Sequence, residues 1–175
     1  MTVEDCIMGE VGEDQTAKPA VRIRIASRHD TDEILSIQKG AGPSFSEGFM
    51  RAMVSTIYDP ARLVLLAQSG TIPVGWATTK YWPDDDGAAP AGHYLMEITV
   101  VPSYRRQGIG KQLIAARIEW IHERADSVMF FTNADNIASL AAHSPWRFHE
   151  IARASHFRGI PFENDFGLLF RAELT

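Results

Sequence analysis

The sequence predicts a mixed α/β domain, and three features of its patterning carry that prediction. VRIRIAS (21–27) alternates apolar and basic residues, as a half-buried strand does. RLVLLAQ (62–68) and PVGWATTKYW (73–82) flank the turn residues SGTI, which is typical of a β-hairpin. Apolar residues at 114, 118, 121 and 125 follow the spacing of one helix face. The full predicted order is β-α-α-β-β-β-α-β-α-β-β.

Two helices are predicted between the first strand and the hairpin. Asp30 or Thr31 can cap the first helix, because a short polar side chain at that position accepts a hydrogen bond from a free backbone N–H. Apolar residues then fall on one side of the segment that follows. The second helix is predicted over residues 45–57, where apolar side chains again share one side.

The chain after the hairpin is predicted to continue with an exposed loop over 83–92, rich in proline, glycine and aspartate. A strand (93–101) leads into the helix that begins near Gly110. VMFFT (128–132) is predicted as a short buried strand, and a short helix from Asn136 ends near Pro145. The remaining segments, FHEIARASHF and NDFGLLFRAEL, are predicted to form two more strands.

Length, composition and charge indicate a single-domain protein that does not bind nucleic acid or anionic membranes. The chain has 175 residues, 45% of them hydrophobic, which suits a single domain over residues 21–175 behind a flexible tail at 1–20. A net charge of −5 argues against nucleic acid or anionic membranes as partners. Cys6 is the single cysteine, and the N-terminus does not resemble a signal peptide, so we expect a cytoplasmic protein.

The segment VVPSYRRQGIGK, where a strand meets a helix, has the composition of an anion-binding turn. Backbone N–H groups at a helix start are unpaired and electropositive, glycines let an anion approach them, and arginines add charged donors. A P-loop is excluded, because Arg105 occupies its first glycine position and Gln112 its Ser/Thr position. A dinucleotide fingerprint is excluded because its third glycine would stand at Leu113.

Arg105, Gly108 and Gly110 form the pattern R-x-x-G-x-G, preceded by EITVVP and followed by a helix. This pattern, together with N-x-x-S at Asn136 and Ser139, resembles the GCN5-related N-acetyltransferase (GNAT) superfamily over residues 21–174. The resemblance implies a central, mostly antiparallel sheet with one splayed parallel strand pair, flanked by helices. It also implies acetyl-CoA as co-substrate. Separately, the six histidines show no metal-ligand spacing, so we expect no metal.

The resemblance assigns the acetyl-CoA contacts residue by residue. Arg105 belongs to the pattern itself, and Asn136 matches a position that contacts the pantetheine arm or orders its loop. The bulged strand before the turn would pair with that arm through the backbone of Ile98 and Val100. The pyrophosphate would accept from the backbone N–H groups of Arg106, Gln107, Gly108, Ile109, Gly110 and Lys111.

Two residues are candidates for proton transfer. Glu97 matches the family's common position for a base, although it could instead be a structural carboxylate paired with an arginine. His143 stands where the family usually has a proton-donating tyrosine, although it could merely cap a short helix. Arg147 replaces the usual glycine beyond that helix, which alters the surroundings of His143. Three tyrosines are alternative donors: Tyr81, Tyr94 and Tyr104.

The acceptor is the least determined part of the prediction. The resemblance places it between the first helices and the loops near the later strands, where Phe45, Phe49, Tyr81, Trp82 and the aspartates at 84–86 are candidates. The aspartates could attract a cationic amine, or they could simply form a solvated loop. We expect an enzyme that acetylates a primary amine of a small molecule. A non-catalytic acyl-CoA sensor and a protein lysine or N-terminal acetyltransferase are the alternatives, and a homodimer is a further expectation.

Overall fold

A seven-stranded sheet forms the centre of the computed structural model, which describes residues 20–41, 48, 52, 55–162 and 166–175. Its strand order is β1-β2-β3-β4-β5-β9-β6, and a separate hairpin is formed by β7 and β8. The strands are β1 (Val21–Ile25), β2 (Val64–Ser69), β3 (Ile72–Trp82), β4 (Gly92–Val100), β5 (Ser127–Asn133), β6 (His149–Ala154), β7 (His156–Phe157), β8 (Ile160–Pro161) and β9 (Gly167–Glu173). The predicted tail covers residues 1–20, and residues 1–19 lie outside the described part.

Three α-helices lie wholly within the described residues, and Gly48, Ala52 and Ser55 are also helical. The three helices are α1 (Thr31–Ala41), α2 (Ile109–His122) and α3 (Ile137–His143). Residues 42–47, 49–51 and 53–54 are not described, so most of the second predicted helix lies outside the structural description. At its end, Thr56–Tyr58 form one 3-10 turn.

All neighbouring strands of the sheet are antiparallel except β4 and β5, which run parallel. These two are joined by a single ladder pair, Tyr94 with Met129. Beyond that pair β4 continues to Val100 beside β3 only, while β5 continues beside β9. The mixed α/β class and the splayed parallel pair are therefore both confirmed.

A β-bulge interrupts the pairing of β3 with β4. Ala77 pairs with Ile98, but Thr79 pairs with Leu95, so Met96 and Glu97 together oppose the single residue Thr78. An extra residue in one strand bends it and re-aims its side chains. The predicted bulge thus lies at Glu97, just before the strand leaves its parallel neighbour.

The sheet buries apolar side chains on both of its faces. Beneath α2, the core includes Leu65, Ala77 and Leu113. Beneath α1, on the opposite face, Ile34 and Ile37 pack with Trp76. Burial of such side chains contributes about 2 kcal/mol each to folding. The two layers fix the positions of α1 and α2 relative to β3 and β4, which carry the candidate site.

The start of α1 differs from the prediction. Neither Asp30 nor Thr31 is the N-cap, because a 3-10 turn over Arg28–Asp30 precedes the helix and Ser27 caps that turn. The Ser27 side chain accepts from the backbone of His29, and the Asp30 carboxylate accepts from the Ser27 N–H at 2.6 Å. Arg24 also donates to Asp30, which holds the pKa of that carboxyl well below its usual range.

Candidate active site

The turn between β4 and α2 is fixed by backbone hydrogen bonds and two left-handed residues. Val101 N donates to Val74 O at 2.9 Å, and Pro102–Tyr104 then form a 3-10 turn. Arg106 has φ +61° and Gly108 has φ +81°. Glycine adopts such a φ without penalty, so Gly108 meets a conformational requirement of the chain itself. We call the segment 105–111 the cradle.

The N-terminus of α2 has no side-chain cap, since its N-cap residue is Gly108. The first helical hydrogen bond is Gln112 N to Gly108 O, which leaves the N–H groups of the first turn without a helical acceptor. A Cβ added to Gly110 would have only Ile98 Cδ1 within 4 Å, at 3.9 Å, so the described protein leaves this space open. The cradle therefore fits an anionic group such as a pyrophosphate.

The polar side chains of the cradle divide into two sets. Arg105 donates to Val100 O at 3.0 Å and to Ala41 O at 3.4 Å, which ties the turn to β4 and to the end of α1. Gln107 donates to Ser103 O at 3.2 Å. Arg106 and Lys111 are exposed and form no hydrogen bond or ion pair with any described residue. The latter two are available to an anion.

Ile98 and Val100 alternate with Thr99 and Val101, as expected beyond the bulge. Ile98 and Val100 point toward α2, where they pack near its first turns. Thr99 donates to Gln38 Oε1 of α1 at 2.8 Å on the opposite face. Because β5 has diverged here, the structure leaves the β5-facing edge of this segment without a neighbouring strand. Pairing of a pantetheine arm with that edge stays a prediction.

Glu97 lies in the bulge and is half-buried. It forms no hydrogen bond or ion pair with any described residue, so no arginine in the described ranges holds it as a structural partner. Lys80 on β3 and Arg117 on α2 are close enough to attract its carboxylate electrostatically. A half-buried carboxylate without a committed partner retains lone pairs for a substrate proton.

His143, at the end of α3, is 4% exposed and sits among aromatic rings. Its ring stacks on Phe130 with centroids 3.9 Å apart and meets Phe148 edge-on. Nδ1 lies 2.8 Å from Ser139 O, so Nδ1 carries the proton and the buried Nε2 has a lone pair. Burial lowers the pKa of His143 to about 4, so the ring is neutral near pH 7. Proton donation from Nε2 would first require protonation of this ring.

The three alternative tyrosines lie in different surroundings. Tyr94 is fully buried and donates to Pro90 O at 2.7 Å, and burial raises its pKa. Tyr104 packs on the core beneath α2. Tyr81 is 47% exposed and leans on His93, which in turn meets Trp120 of α2 edge-on. Tyr94 is thus committed to a loop, and the other two keep free hydroxyls among the described residues.

Asn136 caps α3: its Oδ1 accepts from Ser139 N at 3.0 Å. Asn136 therefore acts as a helix cap, and a contact with the pantetheine arm stays a prediction. Asn133, at the end of β5, is a polar residue that the sequence did not single out. Its Oδ1 is buried and has no partner among the described residues. The sequence signal that could have identified Asn133 is its position as a polar residue at the end of a strand that splays from its neighbour.

Two of the candidate acceptor residues, Tyr81 and Trp82, lie on opposite faces of the sheet. Tyr81 lies on the α2 face, whereas Trp82 lies on the opposite face, where Lys80 Nζ is 4.4 Å from its ring centroid. Phe45 and Phe49 lie outside the described residues. Lys80 and Glu97 interact electrostatically on neighbouring strands, and burial lowers the pKa of Lys80.

The aspartate loop is ordered by contacts with the β7–β8 hairpin. Arg158 donates to Asp84 O at 2.7 Å and to Ala89 O at 2.9 Å, and its guanidinium lies 5.1 Å from the Trp82 ring centroid. Asp85 accepts from Ala91 N at 2.7 Å. The residues at 84–86 are all exposed. The loop is therefore a fixed feature beside Trp82 and is more ordered than a merely solvated segment.

Neither a metal-binding cluster nor a membrane-spanning helix occurs within the described ranges. No group of three or more His, Cys, Asp or Glu side chains in those ranges is arranged to hold a metal ion. Among the same residues, no helix has the length and apolar character needed to cross a membrane.

A family comparison matches residues 31–145 to the acetyltransferase (GNAT) family. The match begins at α1 and ends just beyond α3, so it includes the cradle, Glu97 and His143. In sequence, the chain is 30% identical over 87 residues to mycothiol acetyltransferase of Pseudarthrobacter chlorophenolicus. That alignment covers 49% of this chain but 27% of the relative, so the chain spans about a quarter of that protein's length.

Solved structures share the fold at low sequence identity. The ribosomal-protein-S18-alanine N-acetyltransferase of Escherichia coli has a TM-score of 0.69 and 19% identity, covering 89% of this chain and 95% of that one. The Salmonella typhimurium protein yncA, solved with its cofactor acetyl-CoA, has a TM-score of 0.67 and 19% identity over the same shares.

Proposed function

Because this chain belongs to the acetyltransferase (GNAT) family, we propose that it transfers an acetyl group from acetyl-CoA to a primary amine of a small molecule. The observation that carries the proposal is the arrangement along β4. An uncapped helix terminus with open space at Gly110 follows the strand whose bulge holds the unpaired carboxylate of Glu97. One continuous segment thus offers an anion site and a base.

Acetyl-CoA would be held mainly by backbone groups in this proposal. The free N–H groups at the start of α2 favour phosphate oxygens, and the side chains of Arg106 and Lys111 add positive charge. Arg105 shapes the turn through its contacts with Val100 and Ala41. The exposed edge of β4 at Ile98 and Val100, with Asn136 across the opening, is the proposed path of the pantetheine arm. The bound molecule supplies an activated acetyl thioester.

Glu97 is the proposed base. A primary amine with a pKa near 10.4 is neutral in only about one molecule in two thousand at pH 7, so a proton acceptor raises the reactive fraction. The carboxylate of Glu97 meets this need because no described residue occupies it. It accepts the proton directly or through a water molecule.

The departing thiolate also needs a proton. His143 stands at the position that the resemblance indicates, but its neutral ring presents a lone pair at Nε2. Tyr104 and Tyr81 have hydroxyls that are not committed to described residues. A comparison of His143→Phe, Tyr104→Phe and Tyr81→Phe turnover identifies the donor.

The proposed acceptor side carries positively charged side chains in addition to the aspartates at 84–86. Arg62 and Arg158 both act electrostatically on Lys80, whose Nζ lies over the Trp82 ring, and Arg62 is paired with Asp59. We therefore propose that the small amine also meets cationic side chains, which favours amines that carry a further polar or anionic group. A cytoplasmic location and the absence of nucleic acid and membrane partners stay expectations from the sequence, and a homodimer stays an expectation from the resemblance.

The alternatives are a non-catalytic acyl-CoA sensor and a protein acetyltransferase. The neutral, buried His143 in place of the usual tyrosine favours the sensor. The names of the relatives mention both mycothiol and a ribosomal-protein alanine, so a protein acceptor remains a candidate.

Thiol release from acetyl-CoA, measured against a panel of polyamines, aminoglycosides, amino acids and peptides, tests the proposal. We expect turnover with a small amine, and a fall of about a hundredfold or more in kcat for Glu97→Gln with acetyl-CoA affinity retained. The control is Glu119→Gln, which neutralises an exposed carboxylate of α2. Binding without turnover of any amine would establish the sensor, and turnover of peptides alone would establish a protein acetyltransferase.

A further inference from the structure

Arg117 is a fully buried cation on the face of α2 that covers the sheet. Its Nε donates to Leu113 O of the same helix at 3.2 Å. Its Nη1 donates to two carbonyls of the sheet, Thr78 O at 2.9 Å and Met96 O at 3.0 Å. An arginine is rare on the buried face of a helix that packs on a sheet. Burying its charge is costly unless its N–H groups donate hydrogen bonds.

The two accepting carbonyls belong to the bulge between β3 and β4. Met96 lies in the bulge, and Thr78 is the residue that opposes it. In an extended strand, neighbouring residues direct their N–H and C=O groups to opposite sides. Thr79 N donates to the O atom of Leu63, the residue just before β2, so the polar backbone groups of Thr78 face β4. The bulge breaks the regular ladder at that point, and Arg117 supplies the donor for both carbonyls.

The charge of Arg117 also acts toward Glu97. Burial lowers the pKa of Arg117 to about 9, so its guanidinium remains protonated near pH 7. The carboxylate of Glu97, the next residue after Met96, attracts this charge. Nη2 of Arg117 is buried and has no partner among the described residues. The bulge, the cation and the proposed base therefore form one local unit.

We propose that Arg117 is a positioning residue that holds the β3–β4 bulge open and thereby sets where Glu97 lies. The inference rests on the proposed function only in that Glu97 is taken as the base. Without the guanidinium, the Thr78 and Met96 carbonyls would be buried without donors. The strands would then rearrange to regain pairing, and a one-residue change in register turns side chains to the other face.

The test combines kinetics with a backbone measurement that needs no turnover. Arg117→Met keeps much of the side-chain length and removes every donor, and Arg117→Lys restores a charged donor. We expect kcat to fall about tenfold in Arg117→Met with acetyl-CoA affinity nearly unchanged, and to recover in part in Arg117→Lys. Amide hydrogen exchange at residues 96–98 should accelerate about tenfold in Arg117→Met. The control Ile121→Val, a buried change later in α2, should leave those amides and kcat unchanged.

A double-mutant cycle with Glu97→Gln separates positioning from general destabilisation. If Arg117 acts through Glu97, its replacement costs little further kcat in the Glu97→Gln background. An equal loss in both backgrounds, or unchanged exchange at residues 96–98, would overturn the inference. Should Arg117→Met not fold, Arg117→Lys enters the same cycle and exchange measurement. Failure of the proposed function would appear separately, as a wild-type protein without turnover, while the exchange result would still decide whether Arg117 holds the bulge.

Discussion

The cradle and the surroundings of His143 are both parts of the proposed active site, but the protein treats them in opposite ways. At the cradle, the helix terminus is uncapped and the space above Gly110 is open. At His143, aromatic rings fill the space, Ser139 O accepts the Nδ1 proton, and Nε2 is buried without a partner among the described residues. The cradle therefore leaves open space and unpaired N–H groups for a ligand, whereas the surroundings of His143 are already packed.

This difference shows that local sequence is sufficient to predict the cradle but not the state of His143. The cradle depends on a few adjacent residues whose backbone angles and free N–H groups follow from a glycine-containing turn before a helix. The state of His143 depends on Phe130 and Phe148, which come from other parts of the chain. Substitutions that block or neutralise the cradle should therefore weaken acetyl-CoA binding. Truncation of His143 should instead lower the free energy of unfolding.

The largest expected effect on stability comes from truncating His143. In His143→Ala we expect the free energy of unfolding to fall by about 3 kcal/mol, because the ring leaves a cavity against Phe130. Chemical denaturation measures the loss, and calorimetry should find acetyl-CoA affinity unchanged. His143→Phe refills the space and serves as the control. If His143→Ala weakens acetyl-CoA binding as much as stability, the two regions are not independent.

Acid should destabilise the protein through the same residue. The pKa of His143 is about 4 in the folded state, below its ordinary value of 6.5, so the unfolded chain binds a proton more readily. This contribution to stability is complete above pH 6.5 and declines as the pH falls toward 4, by about 2 kcal/mol at pH 5. Denaturation at several pH values should show this slope in the wild type. An equal slope in His143→Phe would contradict the assignment.

Smaller effects on stability and on acetyl-CoA binding should distinguish the two arginines of the cradle. Arg105→Ala should lower the free energy of unfolding by about 1 kcal/mol, because Arg105 donates to Val100 O and Ala41 O. Arg106→Ala should leave stability nearly unchanged and weaken acetyl-CoA about tenfold, since its exposed guanidinium has no described partner. Paired denaturation and calorimetry check both. The reverse pattern would show that Arg105 is the phosphate ligand.

Much of the fold could be predicted because its signals are local. The alternation of VRIRIAS, the hairpin around SGTI and the apolar stripe after Gly110 each reappear as β1, β2–β3 and α2. The splayed β4–β5 pair and the bulge came instead from the resemblance, and both are present.

What could not be predicted depends on long-range packing. Arg117 lies four residues after Leu113 on the buried side of α2, but a charged residue gives no sign of burial without the carbonyls of Thr78 and Met96. The cap at Ser27 was missed because a 3-10 turn precedes α1. By contrast, strand alternation alone predicts that the adjacent residues Tyr81 and Trp82 lie on opposite faces of the sheet.

Calorimetric titration of acetyl-CoA into wild type and Gly110→Trp tests the central claim most directly. Gly110 is helical, and its surroundings are open apart from Ile98 Cδ1 at 3.9 Å, so the indole would occupy the proposed phosphate site without straining the backbone. Gly40→Trp is the matched control, a helical glycine in α1 with no atom within 4 Å of an added Cβ. We predict binding to wild type and Gly40→Trp, and a loss of about a hundredfold or more in Gly110→Trp. Equal affinity in all three proteins would contradict the account.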